Sequence, residues 1–369
     1  MTGDTLEARL IRRIRAEGPI PVADYMAEVL TAPVGGYYTR QDPLGAAGDF
    51  VTAPEITQMF GELIGLWLAE AWQRIGRPDP VTLAELGPGR GTLMADALRA
   101  ARMVPGFAEA IRVHLVEVSP ALWARQAETL DGRIPAGSPV WHGEVAELPE
   151  GPLLLVANEF FDALPIRQFE KTPDGWCERL VGYDPETERL TWALTRPTAR
   201  AQSYVPEPLR DAHAGAVFEL SPPALTIAGE LGRRVAAHGG AALLVDYGRA
   251  ESACEPTLQA VRRHRRADVL SAPGEADLTA HVDFALLAQA AREAGAETHG
   301  PVPQGRFLRG LGLDQRAEIL QGQAAPDRRA AVETARARLA DPEQMGELFK
   351  ALAIVAPGYG VPAGFPDDG

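Results

Sequence analysis

Apolar positions near the start of the chain follow helical spacing. Leu6, Leu10 and Ile14 fall on one face, which predicts a docked amphipathic helix. Gly18-Pro19 breaks the pattern, and a second helix restarts near Val22. Residues 32–50 have no period and are rich in Gly, Pro and Tyr. The aromatics there predict a loop folded over a site. Thr52 then opens a helix, with Glu55 at capping-box spacing, and Ile56, Phe60, Leu63, Ile64 and Trp67 continue it. Gly61 and Gly65 lie on this helix. Glycine costs a helix about 1 kcal/mol relative to alanine, so the pair predicts close approach of another backbone.

From residue 81 the pattern alternates. Strands are expected at 81–86, 111–118, 140–142 and 153–157, with helices at 93–102 and 121–130 between them. Such a series implies a parallel sheet with right-handed crossovers. Residues 166–170, 176–183 and 190–194 instead predict antiparallel strands, with turns at Pro173-Asp174-Gly175 and Asp184-Pro185. A helix at 224–237 and a buried strand at 241–247 resume the alternation, and short strands are expected at 296–299 and 352–355. This divides the chain into an N-terminal helical region and active-site loop (1–78), a core (79–162 and 216–369) and an inserted antiparallel substructure (163–215).

The stretch Glu85-Leu86-Gly87-Pro88-Gly89-Arg90-Gly91-Thr92 lies between the first of these strands and its helix. A glycine turn there lets backbone approach a ligand and aims helix N–H groups at it. A dinucleotide and S-adenosylmethionine (SAM) are both held this way. The dinucleotide fingerprint is G-x-G-x-x-G with an acid about 20 residues on. Here the turn is G-x-G-x-G, and the next strand-end acid, Glu117 beside Val118, lies further away. Glu117 suits two ribose hydroxyls, and Glu85 suits the amino group of a methionyl moiety. Glu144, followed by Val145 at the end of the third strand, can accept from an adenine amino group. Asn158, Glu159 and Asp162 come directly after a buried strand, with Phe160 and Phe161 between them. Ligands of open α/β sheets sit at the carboxyl ends of the strands, where all of these fall.

Composition narrows the partners. The 369 residues are 46% apolar and 23% charged, ordinary for a folded protein, and the net charge is −14. That charge disfavours nucleic acid and anionic membranes, both of which need a basic face. Cys177 and Cys254 are far apart and the histidines are scattered, so neither a disulfide framework nor a metal site is expected. No apolar run approaches the ~20 residues of a membrane span.

Six stretches together resemble one family. They are Gly48–Ile56 (GDFVTAPEI), Glu85–Leu93 (ELGPGRGTL), Val116–Ser119 (VEVS), Asn158–Pro165 (NEFFDALP), Asp246–Gly248 (DYG) and Ala276–Phe284 (ADLTAHVDF). The chain is similar, from about Tyr25 to its C-terminus, to the MidA-type class I SAM-dependent methyltransferases, whose mitochondrial members are complex I assembly factors. The resemblance implies an α/β fold: a Rossmann-like class I methyltransferase sheet, mostly parallel, with N-terminal helices and an inserted β/α subdomain. It also implies SAM as cofactor. Glu85, Gly87, Pro88, Gly89, Gly91, Thr92, Glu117, Val118, Glu144, Val145 and Asn158 would line its site.

The implied reaction is protein arginine methylation, with an arginine of the 49-kDa-type subunit of NADH:ubiquinone oxidoreductase as the target in mitochondrial members. Guanidinium arrives charged and planar, and a fork of carboxylates matches it. Glu159 and Asp162 are the first candidates for that fork, with Asp49 and Glu55 next. A bacterial member would work in the cytoplasm, a eukaryotic one in the mitochondrial matrix, and a homodimer is open. Two other readings remain: a SAM-binding assembly chaperone with little catalysis, and an NAD-dependent oxidoreductase, which the turn spacing and the lack of a catalytic His or Tyr constellation disfavour.

Overall fold

The computed structural model describes residues 5–40, 52–135, 137–262 and 265–367. They form two compact units, one of Val51–Phe161, Thr226–Ala250 and Phe284–Gly369, the other of Met1–Phe50, Asp162–Leu225 and Glu251–Asp283.

The first unit is built on one sheet. Its strands are β1 (Val81–Leu86), β2 (Ile111–Val116), β3 (Val140–His142), β4 (Leu153–Asn158), β5 (Gly240–Arg249), β6 (Glu297–Pro303) and β7 (Phe349–Val355). Their spatial order is β3-β2-β1-β4-β5-β7-β6. The pairs from β3 through β5 are parallel, whereas β7 runs antiparallel to both β5 and β6. The mostly parallel class I methyltransferase sheet expected from the sequence is what forms. β1 and β4 are buried along their whole length, as strands covered on both faces must be. The chain order reverses at β1 and β4, so their carboxyl ends lie at the topological switch point.

Two helices of this unit, Gln58–Arg74 and Thr92–Ala101, meet backbone to backbone. A Cβ on Gly61 would stand 2.6 Å from the Asp96 Cβ, and one on Gly65 would stand 2.6 Å from the Ala97 carbonyl oxygen. This is the close approach the two glycines predict. Glu62 ties the pair further by receiving Arg99 Nη2 at 3.0 Å, and it also receives Arg316 Nε, from the helix Leu313–Gln323, at 2.8 Å.

The capping box expected at Thr52 and Glu55 does not form. The helical stretch is split into Ala53–Ile56 and Gln58–Arg74 by Thr57, whose backbone is extended (φ −166°, ψ 145°) and whose hydroxyl caps the longer helix through Met59 N–H. Thr52 makes no side-chain cap bond. The Glu55 carboxylate accepts instead from the Thr92 hydroxyl, which draws it away from its own helix end.

In the second unit, Ile20–Pro21, Gly175–Asp184, Arg167–Thr172 and Val217–Leu220 form an antiparallel sheet in that spatial order, with Arg189–Leu194 also on Gly175–Asp184. The helices Leu6–Glu17 and Val22–Thr31 bury Leu6, Leu10, Ile14, Tyr25 and Val29 in one cluster with Ile166, Val181 and Leu278. A small sheet of Gln259–Arg262, Arg265–Ala267 and Asp277–Thr279 completes this unit. Of the loop expected at 32–50, Tyr37–Arg40 is a helical turn. Residues 33–35 form a turn, and residues 41–51, with the candidate Asp49 and the stretch Gly48–Val51, lie outside the described residues.

Candidate functional site

The glycine turn is set by backbone. Gly87, Gly89 and Gly91 have φ of 60°, 53° and 81°, the left-handed region that glycine enters without steric cost. At Gly87 a side chain would also strike Phe160, since its Cβ would lie 2.8 Å from Cδ2 of that ring. Gly87 N–H donates to the Val116 carbonyl at 3.0 Å, and Gly91 N–H to the Pro88 carbonyl at 2.7 Å. Gly91 is the N-cap of the helix Thr92–Ala101, so the first N–H groups of that helix follow directly after the turn.

Two polar groups beside the turn are buried and incompletely satisfied. Glu85 is 3% exposed, and burial pushes its carboxyl up to about 8, against a backbone hydrogen bond from Met94. Its Oε2 has no hydrogen-bond partner among the described residues. The same holds for Asn158 Oδ1, whose residue is 8% exposed. In the ladder Glu85 faces Val156, two residues before Asn158. Side chains alternate along a strand, so both project from the same face of adjacent strands. Two buried oxygens without partners are costly, and the α-ammonium of a methionyl ligand brings three N–H groups and a positive charge that would hold Glu85 as its carboxylate.

At the end of β2, Glu117 is buried, and its Oε1 accepts from the amides of Val118 and Ser119 at 2.8 Å each. Burial raises its pKa, while these hydrogen bonds and that of Gln126 oppose the rise. Val118, beside it, is 60% exposed, an apolar surface next to a carboxylate, which suits a ribose joined to an adenine. Past β3, Glu144 is exposed and Val145 buried at the start of a short turn. The Glu147 carboxylate caps it by accepting from Gly143 N–H at 2.7 Å.

After β4 the chain turns sharply. Glu159 has φ 50°, a strained value for a residue with a side chain. Its Oε1 accepts from Ala53 N–H at 2.8 Å and from Asn158 Nδ2 at 3.1 Å. Glu55 Oε1 accepts from the Thr92 hydroxyl at 2.6 Å. The two carboxylates thus pin the segment 53–56 at both ends, one to the tip of β4 and one to the first residue after the glycine turn. The next two amides, of Phe160 and Phe161, donate to Asp246 Oδ2 at 3.1 and 3.0 Å, and Tyr247 N–H donates to Oδ1. Asp246 is 1% exposed. It is the aspartate of the D-Y-G stretch, to which the sequence attached no role.

Asp162 opens the second segment of the second unit and is buried; its carbonyl accepts from Ala280 N–H. In the same unit the Tyr38 hydroxyl lies 3.0 and 3.2 Å from the two oxygens of Asp277. Burial raises the Tyr38 pKa well above the ordinary value, and the charges of Asp277 and Asp162 add to the rise. Tyr38 and Asp277 fall in a loop and a motif that the sequence singled out without giving either residue a role. Among the described residues no His, Cys, Asp and Glu group could hold a metal ion, and no helix is long and apolar enough to cross a membrane.

A parallel sheet with this strand order, a glycine turn after β1, an acid after β2 and a polar segment after β4 define a class I SAM-dependent methyltransferase. The chain belongs to the family described as "Putative S-adenosyl-L-methionine-dependent methyltransferase", which it matches over residues 63–302. It is 41% identical to the Mus musculus protein named Protein arginine methyltransferase NDUFAF7, mitochondrial, over 94% of this chain and 83% of that protein. With the Homo sapiens protein of the same name it shares 39% identity over 94% and 82% of the two chains. A crystal structure from Burkholderia thailandensis bound to S-adenosyl-homocysteine superposes with a TM-score of 0.84 at 31% identity, covering 97% of this chain and 93% of that one. The protein is a SAM-dependent methyltransferase, and SAM is its cofactor.

Proposed function

We propose that the chain transfers the SAM methyl group to a guanidinium nitrogen of an arginine in a protein substrate, with a 49-kDa-type subunit of respiratory complex I as the target. The observation that carries this reading is the 37–41% identity, over nearly the whole chain, to relatives named protein arginine methyltransferase. The MidA-type resemblance supports the complex I subunit. In a bacterial source the reaction takes place in the cytoplasm.

The turn at Gly87, Pro88, Gly89, Gly91 and Thr92 holds the methionyl end of the cofactor, with Glu85 and Asn158 accepting from its ammonium. Glu117 accepts from the ribose hydroxyls, and Val118, Glu144 and Val145 flank the adenine. Bound there, SAM supplies an electrophilic methyl on a sulfonium. The residues of this chain bring a guanidinium nitrogen in line with that carbon and exclude water. A C–N bond forms as the C–S bond breaks, the neutral thioether S-adenosylhomocysteine leaves with the bonding pair, and the proton lost from the nitrogen passes to a carboxylate of the site and on to solvent. Guanidinium keeps its charge below about pH 12, so a carboxylate must orient it and localise that charge. Asp162 leads in this role. Glu159 and Glu55 support it by placement, holding the segment 53–56 through Ala53 N–H and the Thr92 hydroxyl. Asp49 is the next candidate for the charge.

The test is tritiated SAM added to lysate of a deletion strain with purified protein, followed by mass spectrometry of respiratory complex I from cells with and without the gene. A labelled basic protein carrying methylarginine is expected. No labelled band would favour a SAM-binding assembly chaperone instead.

A further inference from the structure

Helix Pro120–Leu130 buries Leu122, Gln126 and Leu130 on one face. A glutamine in an apolar stripe must satisfy both ends of its amide or carry a desolvation penalty. Gln126 is 0% exposed. Its Nε2 donates to the Gly89 carbonyl at 2.8 Å and lies 3.3 Å from Glu117 Oε2, and its Oε1 accepts from Trp141 Nε1 at 2.7 Å. The orientation of the amide follows from its neighbours. An indole N–H can only donate, whereas a carbonyl and a carboxylate can only accept. A flipped amide would set NH₂ against N–H and oxygen against two oxygens. One side chain thereby joins the glycine turn after β1, the acid after β2 and the tryptophan of β3, all within one unit.

We propose that Gln126 is a positioning residue of the cofactor site, and that its amide aims the Glu117 carboxylate so that the enzyme selects a ligand bearing an intact ribose diol. The proposal rests on Glu117 as the ribose acid. The amides of Val118 and Ser119 fix Oε1 of that carboxylate. They leave rotation about this edge to be set by what holds Oε2, and Gln126 is the side chain that does so. Trp141 acts one step further out, by fixing which end of the amide faces inward.

The experiment is isothermal titration of the full chain with S-adenosylhomocysteine and with its 2′-deoxyribose analogue. The variants are Gln126→Leu, Trp141→Phe and Glu117→Ala, each checked for folding by its urea midpoint. A hydrogen bond to a charged group corresponds to a factor of about 10–100 in affinity, so the unmodified protein should prefer the ribose ligand by about that ratio. Gln126→Leu should weaken S-adenosylhomocysteine about 10- to 100-fold more than it weakens the deoxy analogue, and so collapse the preference; loss of its bond to the Gly89 carbonyl acts on both ligands alike and leaves the ratio untouched. Trp141→Phe should lower the preference in the same direction by less, and it carries the test if Gln126→Leu does not fold. A merely structural glutamine would weaken both ligands equally and leave the ratio unchanged; that result, with Glu117→Ala abolishing the preference, overturns the proposal. If Glu117→Ala itself leaves the preference intact, the ribose reading of Glu117 fails and the role of Gln126 falls with it.

Discussion

Glu159 joins two effects of opposite sign in one residue, and substitution separates them. Its φ of 50° places a side-chain-bearing residue in the left-handed region, at about 1–2 kcal/mol. Its carboxylate accepts from Ala53 N–H at 2.8 Å and Asn158 Nδ2 at 3.1 Å, and hydrogen bonds to a charged group contribute about 1.5–3 kcal/mol. Glu159→Ala loses the carboxylate and keeps the strain. Glu159→Gly loses the carboxylate and relieves the strain, while adding about 0.4–1 kcal/mol of unfolded-chain entropy. The glycine variant should therefore be about 0.5–1 kcal/mol more stable than the alanine variant, although both are less stable than the unmodified protein. At an ordinary helical position the order is reversed. Urea unfolding followed by circular dichroism gives the difference. Hydrogen exchange of a peptide covering residues 52–60 supplies the control: the Ala53 amide should exchange faster in both variants, to the same extent. A glycine variant clearly less stable than the alanine variant would refute the strain argument. Equal exchange in all three proteins would refute the carboxylate's hold on Ala53.

Four further outcomes are expected. Gly89→Val cannot keep the φ of 53° without strain, and titration should find S-adenosylhomocysteine binding lost; retained affinity would remove the turn from the cofactor site. Gly65→Ala forces a Cβ to 2.6 Å from the Ala97 carbonyl oxygen. Overpacking costs about 1–3 kcal/mol against about 1 kcal/mol of helix propensity gained, so the urea midpoint should fall, and a rise would deny the close approach. Glu85 has a folded-state pKa of about 8 against an ordinary 4.5, so the folded state keeps a proton the unfolded chain has released. That contribution is complete below pH 4.5 and is lost as pH rises through 8, at up to about 1.4 kcal/mol per pH unit; Glu85→Gln should flatten this slope, and an unchanged slope between pH 5 and 8 would place the titration elsewhere. Asp162→Asn should spare S-adenosylhomocysteine affinity and lower methyl transfer to the labelled protein, and undiminished transfer would take Asp162 out of the clamp.

What the sequence disclosed follows from the range of the interactions involved. β1, the glycine turn and the helix Thr92–Ala101 rest on local signals: a buried apolar run, left-handed glycines and helical spacing. The meeting of two helices at Gly61 and Gly65 was legible because only a missing Cβ explains glycine there. The capping box failed because local spacing cannot see a competitor 37 residues away, and Thr92 offers Glu55 a shorter path to a partner. The pairing of Ile20 with Val181 was invisible for the same reason: two residues of strand beside Gly18-Pro19 carry no period. Asp246 and Gln126 act through contacts made only after the sheet has assembled, although a glutamine between Leu122 and Leu130 on one face was a signal in itself.

The same bookkeeping of partners bears on the substrate side. An acid that orients a guanidinium must have lone pairs to spare, and four carboxylates were candidates from the sequence. Glu55 gives its Oε1 to Thr92, and Glu159 gives its Oε1 to Ala53 and Asn158. Both also fix the segment 53–56, so neither can swing toward a substrate without releasing that segment. Asp162 belongs to the unit in which Tyr38 and Asp277 already pair. Removal of Glu55 or Glu159 should therefore damage transfer through the placement of 53–56, and Glu55→Gln or Glu159→Gln, which keep an acceptor oxygen, should recover most of it. An acid that grips guanidinium through its charge is not recovered by its amide. Restoration of transfer by glutamine at 55 and 159, against its failure by asparagine at 162, separates placement from charge.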